Sequence, residues 1–147
     1  MTREQNFRST FVTAFATYSG WSEHVETPKK KLSLSSFTSF SVELGKTRFY
    51  SYDLTGRALE GSQDFKLTIY FSKPQNDINE IRTDRSDDIQ TVQTFINDRF
   101  YPIPMPLPGE TYRIESVELT SIEPMRVIPG ESRYSIVVNG SYAFTML

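Results

Sequence analysis

Cysteine is absent from the 147-residue chain and histidine occurs once, at His24. The first absence excludes a disulfide framework, a thiolate metal site and a thiol nucleophile. The second removes every chemistry that needs two imidazoles. Long apolar runs are missing too. No stretch reaches the length of about 18 residues that crossing a bilayer requires, and the opening MTREQNFRSTF has no apolar signal core, so no membrane or targeting segment is expected. Charge of one sign is also lacking: 16 Lys and Arg stand against 18 Asp and Glu, for a net −2. That balance argues against wholesale binding to nucleic acid or acidic lipid. There is no P-loop, no dinucleotide glycine fingerprint, no HExxH pair and no nucleophile-elbow serine. A structural or interaction protein without cofactor is the default that remains.

What is present suits one ordinary domain over 1–147. The chain is 37% hydrophobic and 14% aromatic, and a domain of this size buries roughly 68–70% of its unfolded surface without staples. Phe7, Phe11, Phe15 and Tyr18 recur at helical spacing, with Thr2 and Gln5 as a capping box and Ser19-Gly20 as the stop. Trp21 to Lys31 reads as irregular, and Lys29-Lys30-Lys31 as a solvated loop. From Leu32 the period becomes two, with Phe40, Val42 and Leu44 on one face and Phe37, Ser39, Ser41 and Glu43 on the other. Gly45-Lys46 reads as the turn of a hairpin over 32–54, and Leu54 to Ser62 as a loop. Asp64 to Lys73 alternates as an inner strand ended by Pro74.

The polar run Gln75–Asp88 reads as a long surface loop, and Asp87 to Phe100 as a second helix capped by Asp87. Pro102, Pro104, Pro106 and Pro108 form an extended connector. Tyr112 to Ile122 is a strand with a bulge near Glu115-Ser116, and Arg133 to Met146 alternates as its antiparallel partner. The fold class that follows is α+β: a mainly antiparallel β-sheet, two helices packed on one face and a protruding β-hairpin. Fourteen residues of strand span about 46 Å, more than a globule near 38 Å across holds. The last strand therefore either bends, at Gly140, or overhangs and pairs with a neighbour.

Reactive groups are sparse. The carboxylate pairs Asp87-Asp88 and Asp77/Glu80 lie in polar context with no apolar pocket to raise a pKa. His24 sits between Glu23 and Glu26 in a loop. The NDINE stretch lacks the glycine and spacing of a calcium loop. Only Arg48-Phe49-Tyr50 approaches the exposed ring flanked by arginine that single-stranded RNA recognition uses.

The order of elements resembles the tail terminator (tail completion) proteins of long-tailed bacteriophages. The matching segments are NFRSTFVTAFATYSGW, the strand DFKLTIYF before the helix DIQTVQTFINDRF, and the closing pair YRIESVELTSIEP and ESRYSIVVNGSYAF. The insertion at 75–86 and the four-proline connector depart from that pattern. The resemblance implies a virion structural protein with no catalytic, metal or cofactor residues. It implies a homo-oligomeric ring, hexameric in that family, that ends tail-tube polymerisation and joins the tube protein to the head connector, with DNA passing only through the lumen. Localisation would be the virion tail after synthesis in the host cytoplasm. Subunit contacts are expected on the hairpin and the terminal strand, with Phe37, Phe49, Tyr50, Tyr52, Tyr142 and Phe144 as candidate anchors. Asp77, Glu80, Arg82 and Arg85 are candidates for contact with tube or connector. The alternatives are another neck or tail-tube component, or a monomeric α+β binding module or inhibitor.

Overall fold

The computed structural model describes residues 2–23, 39–72, 78–100, 112–127 and 133–146. The first helix, α1 (Arg3–Ser19), begins and ends where its caps predict. Thr2 Oγ1 accepts from the Gln5 amide at 3.2 Å, and the Gln5 side chain accepts from the Thr2 amide at 3.0 Å. Gly20 closes the helix at φ 74°, its amide donating to Ala16 O at 2.9 Å, the left-handed stop that glycine adopts without strain. Phe7, Phe11 and Phe15 are wholly buried, whereas Tyr18 stays partly exposed.

Strands β1 (Ser22–Glu23), β2 (Ser39–Tyr52), β3 (Ala58–Ser72), β4 (Tyr112–Ile122), β5 (Arg126–Val127) and β6 (Arg133–Met146) form one sheet. Its order is β1-β2-β3-β6-β4, with β5 also on β6. Only β1–β2 is parallel. Between β3 and β4 lie α2 (Ile78–Thr94) and a π-helix, Phe95–Phe100. The class is α+β, as expected.

Register sorts the sheet into two faces. Phe40, Val42, Phe65, Leu67, Ile69, Ile136, Val138, Tyr142, Phe144, Ile114 and Val117 fall on one side and are buried. The α1 rings land there: Phe7 stacks on Tyr142 at 3.7 Å, Phe11 meets Phe65, and Phe15 meets Phe40 edge-on. Phe95 of the π-helix closes against Phe11 and Phe15, and Val92 and Ile96 are buried with it. Each fully buried ring is worth about 1.5–3 kcal/mol, so this stripe outweighs the caps in holding α1 down. The opposite face is polar, with no helix over it among the described residues.

Several boundaries differ from the sequence reading. Gly45-Lys46 is not a turn: β2 runs through it, and the register slips between Leu44 and Thr47. A bulge absorbs the extra residues there and swaps which parity points to the core. The chain reverses at 53–57 instead, where Asp53 accepts from the Thr55 and Arg57 amides and Gly56 takes φ 84°. The hairpin expected over 32–54 is thus replaced by β2 joined to β3, and β3 starts at Ala58 in what reads as a loop. Residues 78–86 are helical rather than a loop, and Asp87 lies inside α2 rather than capping it. Neither glycine nor proline occurs from 75 to 101, so nothing breaks a helix nucleated further along. The β4 bulge appears between Ile114 and Ser116 as predicted, with a second between Leu119 and Ser121. The terminal strand does not overhang: β6 is central, paired to β3 from Arg133 to Thr145. His24, the lysine run, Phe37, Asp77 and the proline connector lie outside the described residues.

Candidate functional site: the open sheet face and the hairpin tip

Two surfaces stand out, the first built by β2 and β3 and the second by the outer face of the whole sheet. The first is the tip. Among the described residues, five of the seven exposed large apolar side chains fall between Phe49 and Leu59: Phe49 (45% exposed), Tyr50 (64%), Tyr52 (58%), Leu54 (fully exposed) and Leu59. Local chemistry fixes the turn that joins the two strands. The Asp53 carboxylate accepts from the Thr55 amide at 2.9 Å, the Thr55 hydroxyl at 2.6 Å and the Arg57 amide at 2.9 Å. The Thr55 hydroxyl bond leads in holding Asp53 below the usual carboxylate range. Phe49 meets the core ring of Phe144 edge-on, while Tyr52 and Leu54 stand out at the exposed end of the two strands, as residues of a contact surface do.

The second surface is the polar face. Glu43 and Lys66, Arg48 and Asp64, and Arg113 and Glu115 pair across or along its strands. Three of the cations that register places on this face, Arg48, Lys66 and Arg113, therefore have a carboxylate at hand; Arg126 and Arg133 lie on the same face. Hydrogen bonding to Asp64 raises the Arg48 pKa, and Arg113 holds Glu115 below its ordinary value. At those three positions a phosphate backbone would have to displace a carboxylate to be bound. A cavity of about 480 Å³ opens among Arg48, Tyr50, Ser62, Asp64, Asn139 and Ser141.

The outer edges of the sheet are partly blunted. At the start of β2, β1 pairs with Ser39 and Phe40, and Arg8 donates to Val42 O at 3.1 Å while ion-pairing Glu23. Bulges interrupt β2 further along and β4 on the other side. Such irregularities disfavour continuous strand addition, so side-chain contacts at the tip are better suited to association than edge pairing.

The predicted anchors divide accordingly. Phe49 and Tyr52 lie on the tip. Tyr50 belongs to the polar face, its hydroxyl 2.6 Å from Ser62 Oγ. Tyr142 and Phe144 are not surface anchors: both are buried in the core, Tyr142 under Phe7 and Phe144 under the Arg3 guanidinium at 4.0 Å. Their parity on β6 points to the helices, which alternation alone leaves ambiguous. Glu80, Arg82 and Arg85 lie in α2 rather than in a loop.

Sequence reading also missed a buried polar relay. Tyr142 donates to Gln63 Oε1 at 2.6 Å, Gln63 Nε2 donates to Gly45 O at 3.2 Å, and Arg3 Nε reaches Tyr142 at 3.3 Å. It ties the start of α1 to the β2 bulge. Gln63, in an unrecognised part of β3, was its only sequence signal. Among the described residues, no group of three His, Asp or Glu side chains is placed to hold a metal ion, and no helix is long and apolar enough to cross a membrane. No family model matches the chain, and no curated protein is matched by it.

Proposed function

We propose that this chain is a virion structural protein of the tail–head junction of a long-tailed bacteriophage. On this reading copies form a ring, six by the resemblance, that ends tail-tube polymerisation and offers a surface to the head connector. It has no reactive centre and needs no cofactor; DNA meets it only by passing through the lumen. It acts in the virion tail and requires no membrane.

The observation that carries the reading is the apolar tip at Phe49–Leu59. It gathers Phe49, Tyr52, Leu54 and Leu59 at one end of β2 and β3. A closed ring is heterologous: each subunit uses one patch to grip a different patch on the next, and growth stops when the ring completes. A tip on one side of the subunit suits such head-to-tail contact. The pairing of Arg48, Lys66 and Arg113 with carboxylates on the open face suits a protein that lets DNA pass without holding it.

The test is to add the purified chain to polymerising tail-tube protein and measure tube length by electron microscopy. Capped tubes of limited length, with a ring of six copies at one end, are expected. Unlimited tubes, together with a chain that stays monomeric at every concentration, would overturn the reading.

A further inference from the structure

We infer that the cavity on the open sheet face is a binding site for a neutral saccharide, with one sugar ring seated against Tyr50. Three irregularities lie on one transverse row of the sheet. They are the β2 bulge between Leu44 and Thr47, the β4 bulge between Leu119 and Ser121, and the pairing of Phe65 with Gly140 between them. Bulges bend strands and sharpen their twist, and glycine lets a central strand follow. The cavity opens over this row, and about 480 Å³ lies within the usual range of small-molecule clefts.

Its lining selects the ligand class. Arg48 and Asp64 form an ion pair at 2.9 Å through one nitrogen and one oxygen. Around them stand Ser141, Thr120 and Asn139, whose amide nitrogen donates to Ser121 at 3.0 Å. Donors and acceptors alternate over a short distance with no net charge. An anion would have to lie against Asp64, and a cation against Arg48. A vicinal diol meets both demands, because each hydroxyl donates one bond and accepts others. Tyr50 supplies the apolar platform. The residue is 64% exposed, and its hydroxyl is held 2.6 Å from Ser62 Oγ, so the ring is oriented before any ligand arrives. The inference does not rest on the ring-forming reading: sugar binding by a monomer would leave it standing.

Saturation-transfer NMR on the full chain with cellobiose, maltotriose and N,N′-diacetylchitobiose tests it. Transfer to at least one of the three is expected, weakened about fivefold or more by Tyr50→Ala and abolished by Asp64→Ala. Tyr50→Phe, which retains the ring, should bind within about threefold of the parent. Circular dichroism and melting of each variant separate lost binding from lost folding. Three outcomes would each overturn the inference: no transfer to any of the three glycans, transfer that survives both alanine substitutions, or displacement of the glycan by inorganic phosphate.

Discussion

Phe144 covers Gly61 and Phe65 covers Gly140, so each of the two central strands lends a ring to the glycine of its neighbour. A Cβ at Gly61 would meet Phe144 Cζ at 2.6 Å and Arg48 O at 2.5 Å; at Gly140 it would strike the Phe65 ring and lie 2.7 Å from Glu118 O. Because backbone of the adjacent strand is involved in both cases, rotamer changes cannot relieve the clash. Gly140→Ala should lower stability by about 1–3 kcal/mol, read as a drop in urea midpoint at unchanged slope. Tyr142 sets a pH limit at the same scale. Burial pushes its phenol above the ordinary value, so the folded state holds the proton longer than the unfolded chain does. That contribution is complete below about pH 10 and is lost as pH rises through the folded value. Melting temperature should therefore fall more steeply in alkali for the parent than for Tyr142→Phe.

Among the elements, α1 was the most legible, because its caps and its ring spacing are local. Thr2→Ala removes the capping box and should cost about 1 kcal/mol, seen as a lower thermal midpoint and faster amide exchange over residues 3–6. The strands at 112–122 and 133–146 were equally readable, since alternation survives even the bulge at Glu115. The errors cluster where local signals have two meanings. Gly45-Lys46 suits a turn or a bulge, and only pairing with Gln63 and Phe65 decides between them. Gly61 suits a loop until Phe144 is seen lying over it. Residues 78–86 lack an apolar period, yet they continue a helix whose later turns bury Val92, Phe95 and Ile96. The π-helical turn at 95–100 had no sequence signature; its Phe95 is wedged among Phe11, Phe15 and Tyr18.

At the scale of the whole molecule, the exposed tip is the feature that predicts association. Replacing Tyr52 and Leu54 together with serine removes apolar surface without touching the core, so melting should change little. Any self-association of the parent in light scattering should weaken by about tenfold or more, if each ring or branched side chain is worth about 1 kcal/mol at a contact. Unchanged association would place the contact elsewhere. The absence of cysteine, the balance of charge, the α+β class and the periods of most elements were determined by the sequence alone, since composition and hydrophobic period are properties of neighbouring residues. Which parity of β6 faces the helices, and hence that Tyr142 and Phe144 are core while Phe49 and Tyr52 are surface, was decided only in three dimensions. So was the row of bulges that hollows the polar face. Register is a relation between strands distant in sequence, and a slip of one residue exchanges inside for outside.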